Sequence, residues 1–368
     1  MMSGYRATQN MGEWDSLGFC SKLKLSSLIK LSARKNHKLH LQRRRLLTFS
    51  SRFALPLFSC LQSDSHGGLS VLSDSFSRKE DDHKLPSDGL TAVSGGLVAL
   101  GKFDALHIGH RELAIKASKV GTPFLLSFVG MAEVLGWEPR APIVAKCDRR
   151  RVLSSWTPYC GNITPTEVLL EFSSVRHLTP RQFVEKLSKE LGVCGVVAGE
   201  NYRFGYKAAG DATDLVRLCN EYGIGAYIID SVMDKNRESK ISWAEDRKER
   251  GQVSSTRVRY ALANGDMDYV SQLLGRRHRV LLSVENKEGI ISTKQRICAP
   301  KSCLLNLPPK DGLYDNCSFI TGDGTQLPCT VNVNATSILL ESDYLDHCID
   351  VGSQDFRVLA IEFGDAEV

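Results

Sequence analysis

Short apolar runs of strand length alternate with stretches of helical period through the middle of the chain. Leu97, Val98, Ala99 and Leu100 form the first run, which ends at Gly101. A polar loop follows, and then Leu113, Ala114 and Ala117 recur at helical spacing. The second run is Pro123 to Val129, the third Val193 to Ala198 and the fourth Ala226 to Ile229. Unbroken apolar runs suit strands buried on both faces, as in a parallel sheet. Between them lie Asp148 to Trp156, a segment opened by Thr179 and Pro180, and Asp214 to Tyr222, all helix-like. Thr179 suits an N-cap and Pro180 the first helical position, with Phe183, Leu187 and Leu191 on one face. Strand and helix in turn from Gly95 to Ile229 predict an α/β domain with a parallel sheet. Two further helices are expected, Val258 to Ala263 ending near Gly265 and Met267 to Leu274 closed by Gly275. Beyond Arg277 the pattern changes. Val280 to Val284, Ile290 to Ile291, Ser337 to Leu340 and Arg357 to Ile361 read as short strands, and P-P-K-D-G-L-Y at 308–314 as a turn. That pattern predicts a small all-β domain.

Chemistry-bearing residues gather where the predicted strands end. After the first strand come Lys102, Phe103, Asp104, His107, Gly109 and His110. In a parallel α/β unit the ligand lies beyond the carboxyl end of the strand, at a helix N-terminus that favours anions. Imidazoles there can donate to phosphate oxygens and, as cations, offset charge that builds up in phosphoryl or nucleotidyl transfer. Gly109 removes a side chain that would block the phosphates. Asp104 can cap the helix, orient a histidine or help hold a magnesium ion. A zinc site finds no third ligand of H-E-x-x-H or C-x-x-C type. After the third strand comes G-E-N-Y-R-F-G at 199–205. Its aromatics can stack on flat rings and its polar groups can pair with phosphate, or it is a core aromatic cluster on a tight turn. The third cluster, S-S-T-R-V-R at 254–259, offers hydroxyls and arginines at a helix start. It reads as a phosphate cradle or as a simple helix cap.

Composition separates the N-terminus from the rest. The 368 residues suggest two domains and an extension. From Ser16 to Ser63 there is no Asp or Glu, while Lys, Arg, Ser and Leu recur. This is the composition of an organelle transit peptide rather than of a basic arm for nucleic acid or membrane. Residues 1–63 carry a net +9 and the whole chain +5, so the remainder is at about −4. A mildly acidic body is a poor nucleic-acid binder, and no apolar run is long enough to span a bilayer. Eleven cysteines without a C-x-x-C pair predict free thiols in a reducing compartment. The polar stretch 64–94 reads as a linker.

Taken in order, G-K-F-D-A-L-H-I-G-H at 101–110, G-E-N-Y-R-F-G at 199–205 and S-S-T-R-V-R with the following G-D and L-L-G at 254–275 resemble the FMN adenylyltransferase module of FAD synthetases. The resemblance covers residues 95–277. With the transit-like N-terminus it extends to the plastid members of that family, with the mitochondrion as the alternative address. It implies a Rossmann-like nucleotidyltransferase domain of the H-x-G-H type and the reaction FMN + ATP → FAD + pyrophosphate, with Mg2+. It implies that His107, His110 and Arg259 are catalytic and contact the ATP phosphates. Gly101, Phe103, Asp104 and Gly109 would line the nucleotide pocket, and Ser254, Ser255, Thr256 and Arg257 would hold the triphosphate. Asn201 would bridge the FMN and ATP phosphates, with Phe204 nearby and Phe128 at the flavin. Two positions depart from the family pattern: Ala105 replaces a glycine, and V-G-M follows Phe128 where many relatives have P-H-P.

In the bacterial relatives a riboflavin kinase barrel follows. Here its P-T-A-N signature is missing and the region reads A-P-K-S-C-L-L-N-L at 299–307. The expectation is therefore a degenerate β-barrel-like domain over 278–368 without kinase activity, behind a transit peptide at 1–63, a linker at 64–94 and the catalytic domain at 95–277. The partners expected are small molecules, ATP and FMN, with no nucleic acid or membrane; the oligomeric state is open. The alternatives are a bifunctional kinase/synthetase, a flavin nucleotide sensor without turnover, and another adenylyltransferase such as one acting on phosphopantetheine.

Overall fold

The computed structural model describes residues 93–235, 251–284, 289–322, 324–345 and 358–364. All of them belong to one compact unit, Ser65–Val368. The expected transit segment and all but the last two residues of the expected linker lie outside the described residues.

The first sheet holds β1 (Leu97–Leu100), β2 (Pro123–Val129), β3 (Thr166–Glu171), β4 (Gly195–Gly199) and β5 (Gly225–Ile229). Its order is β3-β2-β1-β4-β5 and every pairing is parallel. Alternate side chains of β1 enter different cores. Leu97 and Ala99 pack with Leu113, Ala114, Leu125 and Val197, while Val98 and Leu100 pack with Phe124, Leu187, Val196 and Leu215. Both faces are covered, which is why the run carries no polar position. Helix α1 (Ile108–Ser118) lies on the first face, while α3 (Pro180–Glu185) and α4 (Ala212–Glu221) cover the second, α2 (Arg149–Ser154) falling between them in the chain. Thr179 and Gln182 form a capping box at the start of α3, which continues as a π turn, Lys186–Glu190. β3 has no counterpart in the sequence reading. It is an edge strand in which only Val168 and Leu170 are buried, so T-E-V-L-L-E carries too weak an apolar signal.

Helices α5 (Ser255–Asn264) and α6 (Met267–Leu274) link this layer to a second sheet. α5 starts three residues before the expected Val258 because Ser254 caps it. The second sheet holds β6 (His278–Ser283), β7 (Ile291–Ser292), β8 (Arg296–Pro300), β9 (Gly312–Ile320), β10 (Gln326–Val333), β11 (Ser337–Glu341) and β12 (Val358–Phe363). It is antiparallel in the order β6-β12-β9-β10-β11-β8-β7. The all-β expectation holds, but β8, β9 and β10 were not foreseen. The expected turn at 308–314 becomes strand from Gly312 onward, paired to β10. One core runs through both layers: Val258, Leu262, Tyr269 and Leu273 pack with Val280, Phe319 and Phe363. No described helix is long and apolar enough to cross a membrane. The described cysteines are free; Cys160, Cys219, Cys317 and Cys329 are buried, whereas Cys194 is exposed.

Candidate active site

The strand order reverses between β1 and β4, and in sheets of this kind a ligand binds beyond the carboxyl ends of the strands at such a switch point. The first and second clusters leave the sheet there, from β1 and β4. The chain beyond β5 supplies the third. Val232 and Asp234 exchange backbone hydrogen bonds with residues 251–253, and this pairing brings Ser254 and the start of α5 back to the same end of the sheet.

His107 occupies the N-cap of α1, and its Nδ1 accepts the backbone N–H of His110 at 3.3 Å. The proton therefore sits on Nε2, which is left as a donor. The two imidazoles stack with centroids 3.6 Å apart, and both are buried. His110 Nδ1 is buried without a hydrogen-bond partner. Burial first, and then the charge of Arg276, push the His107 pKa down to about 3. Burial, stacked His107, Arg149 and Arg276 hold His110 well below its usual value. Desolvation and the neighbouring guanidinium groups oppose a further positive charge here, so the shifts favour the imidazoles as hydrogen-bond donors over the cationic role.

Gly109 has a packing reason of its own. A Cβ there would lie 3.1 Å from His107 Cε1 and 3.2 Å from Nδ1, so the missing side chain makes room for the His107 ring. Gly101 likewise leaves space for Phe103, whose ring meets His110 edge-on at 5.0 Å. Asp104 does not cap the helix. Its Oδ2 accepts Arg259 Nη2 at 2.8 Å and its Oδ1 accepts the Ile143 N–H at 3.4 Å. Arg259 also donates to the Ala141 carbonyl at 2.9 Å. One ion pair thus joins the first and third clusters.

Asn201 ties the second cluster to the chain that leads into the third. Its Nδ2 donates to Ser231 Oγ at 3.1 Å and to Gln252 Oε1 at 3.2 Å. Ser254 Oγ accepts the Arg257 N–H at 3.2 Å, so this hydroxyl caps α5, while Ser255 and Thr256 stand half-buried and exposed on the first turn. Phe128, half-buried at the end of β2, meets Phe172 edge-on at 6.0 Å.

Two expected site residues are not brought there. Arg257 is 1% exposed and pairs with Asp234 at 3.1 Å, an acceptor that Tyr269 OH shares. It faces inward from α5, whereas Arg259 lies two residues, or about 200°, further round the helix. Phe204 is buried, stacked on Tyr202 and 5.8 Å from Phe183, so the aromatic-core reading holds for it.

Sequence reasoning missed two arginines that shape the loop after β1. Arg276 donates to the Ala105 and Leu106 carbonyls at 2.9 and 2.7 Å, and burial pushes its pKa down to about 9. Leu106 adopts φ +47°, a left-handed conformation that costs a residue with a Cβ about 1 kcal/mol. Arg276 holds the loop in that shape. Arg149 donates to the Phe103 carbonyl at 2.8 Å and pairs with Glu167 on β3. Both partners of each arginine are backbone or distant in sequence, so no motif announced them.

His278, bonded to the Leu307 carbonyl at 2.8 Å, is the third buried imidazole, with its pKa lowered to about 4, mainly by burial. The three set a pH dependence of stability. Unfolded histidines bind protons below about pH 6.5, while these folded ones do not until far lower pH. The unfolded state therefore holds more protons in that window, and stability falls as pH drops below about 6.5, by up to about 1.4 kcal/mol per histidine per pH unit. Above about pH 7.5 they add no slope. Urea midpoints at pH 7.5, 6.5 and 5.5 should show the fall; a flat series would contradict neutral burial.

A parallel sheet with an H-x-G-H helix start at its switch point defines an α/β domain of the nucleotidyltransferase kind. The family model described as FAD synthetase matches residues 166–244, and that of the FAD synthetase 1/2 C-terminal domain matches residues 277–366. The chain is 56% identical to FAD synthetase 2, chloroplastic, of Arabidopsis thaliana, covering 95% of this chain and 94% of that one. It is 61% identical to FAD synthetase 1, chloroplastic, of the same plant, over 79% and 82%. A bifunctional riboflavin kinase/FMN adenylyltransferase of Listeria monocytogenes is 27% identical over 52% and 57% of the two chains. A crystal structure described as a macrolide-efflux protein from Streptococcus pneumoniae superposes with a TM-score of 0.54 at 20% identity, covering 77% and 86%, a likeness of fold alone. The chain belongs to the FAD synthetase family.

Proposed function

We propose that this protein is an FMN adenylyltransferase that transfers AMP from ATP to FMN, giving FAD and pyrophosphate. The observation that carries the reading is the Asp104–Arg259 ion pair, which joins the first and third clusters beside the β1/β4 switch point, with Asn201 bonded to Ser231 and Gln252 on the chain that leads into the third. A phosphate oxygen of FMN attacks the α-phosphorus of ATP. The new bond forms as the Pα–O bond to pyrophosphate breaks, and the electron pair leaves on pyrophosphate. The nucleophile is already anionic near neutral pH, so the rate rests on positioning and charge stabilisation. His107 and His110 donate hydrogen bonds to the reacting phosphates. Arg259 supplies positive charge, and the first turn of α5 with Ser255 and Thr256 receives the outer phosphates. Phe128 and Asn201 lie on the flavin side.

Among the described residues no group of three His, Cys, Asp or Glu side chains could hold a metal. Magnesium would enter as an ion carried by the triphosphate, and Asp104 is a carboxylate just beyond the end of β1 beside that site. The catalytic domain is assigned to 95–277 and the β-rich domain to 278–368, without riboflavin kinase activity because P-T-A-N is replaced by A-P-K-S-C-L-L-N-L. Residues 1–63 are assigned as a plastid transit peptide, supported by the absence of Asp and Glu from Ser16 to Ser63 and by the chloroplastic names of the two Arabidopsis relatives.

Purified protein with ATP and Mg2+ should convert FMN to FAD and leave riboflavin unchanged, as read by separating the flavins. FMN or FAD made from riboflavin would restore the bifunctional alternative. Flavin binding with no product would favour the sensor.

A further inference from the structure

We propose that the second sheet is a working part of the nucleotide site: Asn306, acting through the Ile143 peptide, is a positioning residue for Asp104 and Arg259. The inference rests on the adenylyltransferase reading of that site.

Asn306 belongs to the 299–307 segment, where the kinase signature is missing. It is 2% exposed, and its amide is spent on three backbone groups. Oδ1 accepts the Leu281 N–H at 2.9 Å, while Nδ2 donates to the Arg279 carbonyl and to the Ile143 carbonyl, each at 2.9 Å. The next residue adds a second tie, Leu307 N–H to the Pro142 carbonyl at 2.8 Å. The segment so gripped, 141–143, belongs to neither sheet. Its other side faces the nucleotide site. The Ile143 N–H donates to Asp104, and the Ala141 carbonyl accepts Arg259. Ile143 is fully buried, so its carbonyl would stand unpaired without Asn306.

The consequence is directional. Asn306 and Leu307 fix the 142–143 backbone, that backbone aims the Ile143 N–H, and the N–H together with Arg259 fixes the Asp104 carboxylate. Asp104 in turn holds Arg259 at the site. A loss of the amide leaves Asp104 chemically intact but lets its partners drift, and displacements near 1 Å in a positioned site cost up to about 10²-fold.

The test is a double-mutant cycle between Asn306→Ala and Asp104→Asn, with Val331→Ala as a control in the core of the second sheet away from these contacts. Asn306→Ala should lower kcat/KM for ATP about 10- to 100-fold and leave KM for FMN within about threefold. In the Asp104→Asn background the same change should cost less than about threefold, since the two act in one chain. Val331→Ala should lower Tm and leave kcat/KM unchanged below it. Equal effects of Asn306→Ala in both backgrounds, or a folded Asn306→Ala with unaltered kinetics, would overturn the proposal. If Asn306→Ala does not fold, Asn306→Ser takes its place in the cycle. Amide exchange in the substrate-free protein reads the clamp without any activity: protection of the Ile143 N–H should fall in the variant while that of Val197 in β4 persists. A wild-type protein that makes no FAD would therefore sink the functional reading and still leave the clamp to be judged, and unchanged Ile143 protection would sink the clamp alone.

Discussion

Replacing His110 by alanine should lower kcat for FAD formation about 10²- to 10³-fold at saturating ATP and FMN, the loss typical of one transition-state hydrogen-bond donor. KM for FMN should stay within about threefold, because the residues proposed for the flavin side, Phe128 and Asn201, lie on β2 and just after β4 rather than on α1. His110 sits in the first turn of α1, stacked on His107 and edge-on to Phe103, and its Nδ1 finds no partner in the substrate-free protein. A buried donor at a helix start contributes most when charge develops beside it, and contributes little to ground-state binding. Steady-state kinetics with both substrates varied decides the matter. A raised KM for FMN with normal kcat would place His110 in flavin binding instead.

The second large effect separates two arginines that stand two residues apart. Arg257→Ala should destabilise the fold by about 3–5 kcal/mol, the usual result of removing one partner from a buried ion pair. That corresponds to a Tm lower by on the order of 10 °C. Asp234 would be left buried with only Tyr269 OH of the two named partners. Arg259→Ala should leave Tm within about 2 °C, since its ion pair with Asp104 is partly exposed and such pairs contribute little. Its kcat should fall by 10²-fold or more for loss of charge at the phosphates. Thermal melts and initial rates on the two variants test both halves. The reverse pattern would exchange the roles of the two side chains.

S-S-T-R-V-R alone could not make this distinction. The sequence says that hydroxyls and arginines meet at a helix start. Which arginine faces the core depends on where α5 packs, and α5 packs against α6 and the second sheet, through contacts distant in sequence. The same holds for Phe204. G-E-N-Y-R-F-G presents three aromatics, and only the packing of Phe204 between Tyr202 and Phe183 removes it from the site. The charge of the histidines is also a tertiary property. It is set by burial and by Arg149 and Arg276, which enter from α2 and from the end of α6.

The sequence by itself determined the local elements and the order of the chemistry. Continuous apolar runs required strands covered on both faces, Thr179 and Ser254 set helix starts, Gly265 and Gly275 set helix ends, and the three clusters fell at strand ends. These are short-range matters of period, dihedral preference and capping. It missed β3 because an edge strand buries only alternate residues, and β8 to β10 because their polar faces dilute the apolar signal. Only the tertiary structure decided that β1 lies beside β4, so that clusters about a hundred residues apart leave the sheet at the same end. It alone joined Asp104 to Arg259 and set Asn306 behind Ile143. Those contacts depend on which surfaces bury one another, and the pattern along a chain records that a surface is apolar, not what will cover it.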